Sequence, residues 1–158
     1  MIKGLNIKVL EVDEIVEMSQ KMREMDRLEY RLMSNGAPIF DGLCHMQERS
    51  DQSFAAYVDG ELLCCYGRIR GTALTNEACP WLVATDLVMT PRGRRVFLEA
   101  GPPLIAELIK GFSRCWNMVY EQNTVAIRWL KWVGFEFNAP PVNVRGYKFL
   151  PFEIRKAS

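Results

Sequence analysis

Apolar residues recur along the first third of the chain with two different periods. Positions 5–10 alternate between apolar and polar residues, which predicts a first strand. A helix is predicted to begin at Asp13, because apolar side chains then recur every three or four residues at Ile15, Met18, Met22 and Met25. A second helix is predicted over 26–32, ending at the Asn-Gly-Ala-Pro segment 35–38. Residues 39–48 predict a third, shorter helix.

The pattern of residues in the middle of the chain predicts strands. Residues 53–58 and 61–66 are β-formers on either side of Asp59-Gly60, a pair typical of a tight hairpin turn. Residues 81–89 are apolar except for one acid, Asp86, which favours a central strand. Three strands are therefore expected to follow the helical segment.

The last third predicts a helix, a β-α-β unit and a closing strand. Residues 96–112 have helical periodicity, but Gly101-Pro102-Pro103 is expected to break or kink that helix. The stretch 116–137 predicts a strand, a helix and another strand. Residues 147–154 predict a closing strand, in which Pro151 suggests an edge or a bulge.

The helix within 116–137 is the most sharply defined element. Asn123 or Thr124 can cap its first free N–H groups, and Gly134 stands where a left-handed C-cap is favoured. Its apolar stripe consists of Val125, Trp129, Trp132 and Val133, widened by Ile127 and Leu130. Residues 135–137 should then form the next strand.

Composition narrows the function classes. The 158 residues are 49% apolar and 25% charged with a net charge of +1, which is typical of one globular domain spanning 1–158. Nothing in that balance indicates a nucleic-acid or membrane partner, and no signal peptide or transmembrane run is present. Five cysteines without a CxxC spacing favour reduced thiols and a cytoplasmic location. His45 beside Cys44 lacks a second ligand pair, so no metal site is expected.

The C-terminal pattern carries a family resemblance. It consists of Asn123-x-x-Ala126-Ile127, then Leu130, Gly134 and Phe135. This pattern resembles the C-terminal motif of the GNAT acyltransferase superfamily, and the predicted order of elements is similar to that of the family along nearly the whole chain. The resemblance implies an α/β (α+β) fold, in which helices flank a mixed, mostly antiparallel sheet with splayed central strands.

The resemblance also implies acetyl-CoA, or another acyl-CoA, as cofactor. Its pantetheine arm would lie in the gap between the splayed strands. The residues implied to contact it are Val88, Asn123, Ala126, Ile127 and Leu130. For the pyrophosphate the resemblance implies Arg92, Gly93, Arg94 and Arg95, although this segment has one glycine where the family motif has two. The alternative is that these arginines form a solvated basic helix turn.

Three residues are candidates for proton transfer. Asp86 is the first candidate base, because burial in a central strand would raise its pKa. The alternative is that it accepts structural hydrogen bonds. Glu121 is the reserve candidate, or else a solvated carboxylate at a strand end. Leu130 stands where the family often has the tyrosine acid, so Tyr120 or a water molecule would have to supply that proton.

Two function classes follow. One is acetyl transfer to an amine of a small molecule, a protein N-terminus or a lysine. The other is a non-catalytic phage internal virion or assembly protein, or a host-interaction protein, because residues 81–86, the arginine-rich segment and 123–135 also resemble small phage-encoded GNAT-like proteins. The first class predicts an open slot between the splayed strands that is lined by Asn123. The second predicts a slot filled by side chains such as Phe97, Trp129 or Leu130.

Overall fold

The structure, a computed structural model, describes residues 2–72 and 74–156. Helices and strands follow one another in the predicted order. Within the described residues the elements are β1 (Leu5–Val9), α1 (Val12–Lys21), α2 (Glu24–Ser34), α3 (Ile39–Arg49), β2 (Ser50–Val58), β3 (Glu61–Arg70), β4 (Glu77–Ala84), a 3-10 helix (Asp86–Met89), α4 (Pro91–Leu108), β5 (Arg114–Tyr120), α5 (Thr124–Trp132), β6 (Val142–Val144) and β7 (Tyr147–Arg155).

The strands form one sheet in the order β1-β2-β3-β4-β5-β7-β6. Neighbouring strands are antiparallel except β4 and β5, which are parallel. The mixed, mostly antiparallel sheet predicted from the sequence is therefore confirmed. The predicted hairpin joins β2 to β3, and both of its turn residues, Asp59 and Gly60, have positive φ angles of 51° and 84°.

Helices cover both faces of the sheet. Adjacent residues of β3 point to opposite faces, so that Cys64 and Cys65 belong to two separate apolar clusters. Cys65 packs with Met18 and Leu43 of α1 and α3, whereas Cys64 lies in the cluster that includes Val96 of α4. Met18 of α1 and Met22 just after it are thus core residues, as the helical spacing predicts, whereas Met25 lies in α2 and is only partly buried.

The sheet separates at its centre. β4 and β5 pair only through Glu77 with Arg114 and Ala78 with Cys115. Beyond those pairs the strands diverge, and the side chain of Asn117 donates a 2.8 Å hydrogen bond to the carbonyl of Pro80 across the opening. The predicted splaying of the central strands is confirmed.

Helix α4 runs without a break through its prolines, so of the two predicted outcomes at 101–103, a break or a kink, the break is wrong. Pro102 has no N–H, which would leave the carbonyl of Leu98 unpaired within the helix. The indole Nε1 of Trp132 on α5 donates to that carbonyl at 3.0 Å. Gly101 lets α5 approach, because a Cβ there would lie 2.9 Å from Nε1 of Trp129. A neighbouring helix therefore satisfies a carbonyl that the proline leaves open.

Two strand predictions also need correction. β4 ends at Ala84, because the next residue, Thr85, turns its hydroxyl to the carbonyl of Leu62 and caps the 3-10 helix. Residues 135–137 form only one bridge to β7, from Glu136 to Glu153. The strand that pairs with β7 on the side away from β5 is β6. The alternating aromatic residues of 135–137 pack on Phe152, which produces a strand-like pattern without strand pairing.

The junction between α1 and α2 lies against the end of β4. The backbone N–H of Arg23 donates to the carbonyl of Ala84 at 2.9 Å. This contact places the first turn of α2 at the open end of the divided sheet. None of the helices in the described chain is long and apolar enough to cross a membrane.

Candidate functional site

The gap between β4 and β5 opens into a cavity of about 830 Å³. Its walls come from both faces of the sheet. One wall, here the α2–α3 side, is formed by Glu29, Tyr30, Met33, Leu43 and Met46. The opposite wall, here the α4–α5 side, is formed by Val88, Arg94, Phe97, Ala126, Arg128, Trp129 and Leu130. The divided sheet therefore leaves an internal space that residues of both layers can reach.

Asp26 of α2 lies at the end of β4. Its Oδ2 accepts a hydrogen bond from the backbone N–H of Ala84 at 2.8 Å, and its Oδ1 accepts one from Arg23 at 2.7 Å. Burial raises the pKa of Asp26, although the neighbouring guanidinium and the N–H donor oppose that shift. Asp26 thus closes the end of one strand and forms a buried ion pair.

Glu29 lies at the end of β5, one helical turn further along α2. Its Oε2 accepts hydrogen bonds from the backbone N–H of Tyr120 and from Nδ2 of Asn123, each at 3.0 Å. Burial raises the pKa of Glu29 to about 7, against the effect of these two donors. Its second oxygen, Oε1, has no hydrogen bond to any residue that the structure describes. Glu29 therefore combines a fixed oxygen, a free oxygen and a pKa near neutrality.

The separation of the strands explains why α2 carries these acids on its inner face. Where two strands part, their buried N–H groups lose sheet partners, and an unpaired buried amide is costly. The carboxylates of Asp26 and Glu29 each accept one such N–H, from the ends of β4 and β5 respectively. Helix α2 therefore spans the open end of the sheet.

Asn123 joins this network from the start of α5. Its Oδ1 caps the helix by accepting from the N–H of Ala126 at 3.4 Å, and it also accepts from Arg23 at 3.4 Å. Only 2% of Asn123 is exposed, and its Nδ2 donates to Glu29. The motif asparagine lines the cavity, and its polar atoms hold the α2 side chains in place.

The start of α4 offers few free backbone donors. Pro91 has no N–H, the N–H of Gly93 donates to Oγ1 of Thr90, and the N–H of Arg94 donates to the Thr90 carbonyl. A Cβ at Gly93 would lie 1.8 Å from the carbonyl oxygen of Leu87, so this glycine is required by backbone packing. Any phosphate bound here would therefore depend on side chains.

The three arginines at this helix start have different environments. Arg92 is paired with Asp59 at 3.0 Å, away from the cavity, and Arg95 is exposed outside the cavity. Arg94 lines the cavity, as does Arg128 of α5. Neither Arg94 nor Arg128 forms an ion pair within residues 2–72 and 74–156. The α4–α5 side therefore presents two guanidinium groups that are free to bind an anion.

This architecture has counterparts among solved structures. No protein-family model matches the sequence, and no curated protein matches it. The fold is that of the GNAT acetyltransferases. Because the sequences are only 10–13% identical, the likeness shows a shared fold and nothing further.

Three of these structures cover nearly the whole chain. Spermidine N-acetyltransferase from Vibrio cholerae, in complex with CoA and spermine, is 13% identical with a TM-score of 0.66, covering 98% of this chain and 96% of its own. YncA from Salmonella typhimurium, a putative acetyltransferase with acetyl-CoA, is 12% identical with a TM-score of 0.66, covering 97% and 94%. Aminoglycoside acetyltransferase AAC(6')-Ib, with ribostamycin and coenzyme A, is 10% identical with a TM-score of 0.71, covering 98% and 94%.

Five of the nine residues that the sequence predicts for cofactor binding line the cavity. They are Val88, Arg94, Asn123, Ala126 and Leu130. Three other predicted cofactor residues lie outside the lining, namely Arg92, Gly93 and Arg95. Ile127 is also outside, because it packs into the apolar core. Cofactor binding by any of these residues stays a prediction.

The predicted burial of Asp86 in a central strand is wrong, and neither Glu121 nor Tyr120 lines the cavity. Asp86 is exposed on the 3-10 helix instead of buried in a central strand, so burial does not act on its carboxyl. Glu121 is exposed after the end of β5. The Tyr120 ring is buried against Phe149 and Tyr147, at centroid distances of 5.5 and 6.2 Å, and does not line the cavity.

Sequence reasoning missed Glu29, Asp26, Arg23 and Arg128. A signal for the first two was available in the helical spacing. Asp26, Glu29, Tyr30 and Met33 recur at intervals of three, one and three residues, and all line the cavity. Acids on the inward stripe of a helix are unusual, because buried carboxylates need partners. Such a stripe indicates a polar site beneath the helix.

Proposed function

We propose that this protein is an acyl-CoA-dependent N-acyltransferase that transfers an acetyl group to an amine, with Glu29 as the general base. The observation that carries the proposal is the position of Glu29, whose free oxygen and raised pKa stand inside the cavity of a GNAT fold. The CoA complexes of structures with the same fold support the choice of cofactor. Spermine and ribostamycin in those complexes support an amine acceptor.

The divided sheet fits the cofactor. Beyond Ala78 and Cys115 the facing edges of β4 and β5 are not paired with each other. Side chains bond some of the backbone groups there, at Pro80, Ala84, Met118 and Tyr120, so an amide-containing chain such as pantetheine would pair with those that remain. Arg94 and Arg128 would bind the pyrophosphate by charge-assisted hydrogen bonds, since the start of α4 lacks a set of free N–H groups. When bound, the cofactor would supply an activated thioester carbonyl.

Proton transfer then follows from the geometry of Glu29. An amine enters from the α2–α3 side as an ammonium ion, and Oε1 of Glu29 accepts a proton from it, directly or through one water molecule. Acetyl-CoA, when bound, would supply the thioester carbonyl carbon that the neutral nitrogen attacks. As the C–N bond formed and the C–S bond broke, the nitrogen would lose its second proton to solvent and the thiolate would depart. A pKa of about 7 suits this role, because a base is most effective when its pKa is near the working pH.

The departing thiolate does not require a tyrosine. Leu130 cannot donate a proton, and the phenol of Tyr120 is packed outside the cavity. A thiol has an ordinary pKa of about 8.5, so a thiolate can leave as an anion and take its proton from solvent. The missing family tyrosine therefore removes a contribution to rate without preventing the reaction.

Asp26 and Glu29 also have a structural role, and the experiment has to separate that role from catalysis. A glutamine at position 29 can still accept the N–H of Tyr120 and the amide of Asn123, but it cannot accept a proton. We expect Glu29→Gln to retain the fold and to lose about 100-fold or more in kcat. The measurement is release of free CoA thiol from acetyl-CoA in the presence of a panel of amines. Acetylated product should be identified by mass spectrometry.

Glu121→Gln is the matched control, because Glu121 is an exposed carboxylate outside the cavity. It should leave the rate unchanged. Equal rates for Glu29→Gln and the wild type would remove Glu29 from the mechanism. Failure of acetyl-CoA and CoA to bind at millimolar concentration in calorimetry would contradict the proposed function as a whole.

The phage assembly or host-interaction role remains a prediction. None of the observations above tests a phage origin. Phe97, Trp129 and Leu130 line the cavity, which remains open at about 830 Å³, so the filled slot expected of a non-catalytic module is not found. Absence of CoA binding would favour the non-catalytic assembly or host-interaction role.

A further inference from the structure

We propose that the acceptor is a monoamine with one positive charge and an apolar, preferably aromatic, body. This inference rests on the proposed function and narrows its substrate class. It distinguishes this chain from an enzyme for polycations such as polyamines and aminoglycosides. The argument depends on what the α2–α3 side of the cavity offers to a ligand.

That side is apolar. Besides Met33, Leu43 and Met46 from the helices, the adjoining strands contribute Ile69, Trp81 and Val83 to the lining. Leu43 and Trp81 are buried, with 2% and 8% of their surface exposed, so they are fixed parts of the wall. Adaptable methionines beside a fixed aromatic ring provide contact for an apolar or aromatic group.

The Trp81 and Tyr30 donors of this wall are already engaged within the protein. Nε1 of Trp81 donates to Oγ of Ser50 at 2.8 Å, and the hydroxyl of Tyr30 donates to the carbonyl of Pro38 at 3.2 Å. Both side chains therefore turn their apolar surfaces toward the cavity and keep their donors for the protein. Burial also raises the pKa of the Cys79 thiol to about 11, which keeps that lining residue neutral.

The charges of the cavity oppose a polycation. The charged residues that line it are Arg23, Asp26, Glu29, Arg94 and Arg128, of which the last two are assigned to the pyrophosphate. Asp26 is committed to Arg23 and to the N–H of Ala84, which leaves Glu29 as the only available carboxylate among the described lining residues. One carboxylate can balance one ammonium group. A second ammonium group would lose its hydration without gaining a partner.

The cavity wall also contains an uncharged polar residue, Ser34. Oγ of Ser34 is buried, lies in the cavity wall and has no hydrogen-bond partner within the described chain. Its α-carbon is five residues beyond Glu29 on α2, about 7.5 Å along the helix axis at the usual rise. A hydroxyl or amide at the far end of the acceptor would pair with this serine, but an ammonium group would find no counter-charge there.

The experiment compares amine classes by binding as well as by turnover. Phenylethylamine and spermidine would each be titrated into the wild-type protein saturated with CoA, and each would then be assayed with acetyl-CoA. We expect phenylethylamine to bind at least about tenfold more tightly and to be acetylated at the higher kcat/KM. Tighter binding of spermidine, or binding of neither amine, would overturn the proposal.

Met33→Glu provides a second test that does not disturb the core, because Met33 is 38% exposed at the cavity wall. The added carboxylate should raise the affinity for spermidine and lower that for phenylethylamine. Met33→Gln is the control for size and polarity, and it should not raise spermidine affinity. Equal effects of the two variants would also overturn the proposal.

These measurements separate the inference from the proposed function. If phenylethylamine binds preferentially but no CoA is released from acetyl-CoA, the acyltransferase proposal fails and the ligand class stands. If spermidine is the better acetylated amine, the acyltransferase proposal stands and the ligand class is wrong.

Discussion

Two charged regions lie beside the gap in the sheet, and they differ in almost every physical respect. At the start of α4, Arg92 pairs with Asp59 at 3.0 Å, with side chains that are 40% and 57% exposed. At the start of α2, Arg23 pairs with Asp26 at 2.7 Å, with side chains that are only 11% and 8% exposed. The first pair joins a helix to a hairpin turn in solvent. The second holds a helix across the open end of two strands.

The difference between the two pairs shows that a charged group acquires a shifted pKa where it is buried, whether or not it stands out in the sequence. The arginine cluster of α4 is conspicuous in the sequence, yet only Arg94 of the three reaches the cavity. The acids of α2 are inconspicuous in a sequence with ordinary charge content, yet burial shifts the pKa of both Asp26 and Glu29. A charge becomes chemically unusual when it loses water, and water is excluded by tertiary packing.

The largest expected effect would come from breaking the buried pair. Asp26→Ala leaves Arg23 buried without its partner and leaves the N–H of Ala84 without an acceptor. We expect a loss of about 3–5 kcal/mol in the free energy of unfolding, measured by urea denaturation at pH 7. Asp59→Asn breaks the exposed pair and should leave the unfolding midpoint nearly unchanged. Similar midpoints for the two variants would abolish the contrast between the regions.

The pH dependence of stability tests the environment of Glu29. Below pH 4.5, its ordinary pKa, the carboxyl is protonated in both states. As the pH rises to about 7, the unfolded chain releases the proton while the folded protein retains it, so the free energy of unfolding falls. The total fall should be about 3 kcal/mol, because each pKa unit is equivalent to about 1.4 kcal/mol.

Glu29→Gln removes this dependence, so it should be more stable than the wild type above pH 7 and similar to it near pH 4. Subtracting the free energies of unfolding of the two proteins at each pH cancels the titrating groups that do not interact with Glu29, whereas Asp26 does interact with it. A difference that does not change between pH 4 and pH 8 would show that Glu29 titrates normally.

Comparing the binding of CoA with that of pantetheine tests whether Arg94 and Arg128 contact the phosphates of the cofactor. Arg94→Ala and Arg128→Ala should each weaken CoA binding by about tenfold, because each removes a charge-assisted contact to phosphate. Neither change should alter pantetheine binding, since pantetheine has no pyrophosphate. Arg95→Ala is the control and should not affect either ligand. Calorimetry with both ligands provides the measurement, and weaker pantetheine binding by Arg94→Ala would contradict the assignment to phosphate.

The smallest expected effect concerns the proline-containing part of α4. Trp132→Phe removes the indole N–H that donates to the Leu98 carbonyl. Since Trp132 is 61% exposed, little apolar burial is lost, and the cost should be about 1 kcal/mol of unfolding free energy. Trp116→Phe is the matched control, because this tryptophan is also partly exposed. Equal effects of the two changes would mean that the hydrogen bond contributes nothing.

Local patterns were sufficient for most of the fold. The Asp59-Gly60 turn and its flanking alternation predicted β2 and β3, and the stripe ending at Gly134 predicted α5. The errors occurred where a neighbour outweighs local preference. Helix α4 continues through Pro102 because Trp132 supplies the missing donor. β4 ends early because the hydroxyl of Thr85 turns to the carbonyl of Leu62 of the neighbouring strand.

The candidate site was predictable on one side only. Asn123, Ala126 and Leu130 follow from a motif that is continuous in the sequence, and they line the cavity. An acid among apolar residues predicts burial of Asp86, but the chain leaves the sheet before reaching it. Glu29 is separated from Asn123 by 94 positions, so no local pattern connects the two.

The sequence by itself determined the order of elements, the hairpin and the helix that carries Asn123, because periodicity and turn residues act over a few positions. Only the tertiary structure decided which charges lie in the cavity. Where β4 and β5 part, two buried N–H groups need acceptors, and α2 supplies Asp26 and Glu29 from the other end of the chain. Burial then shifts the pKa of each carboxyl, and burial is a property of the assembled layers.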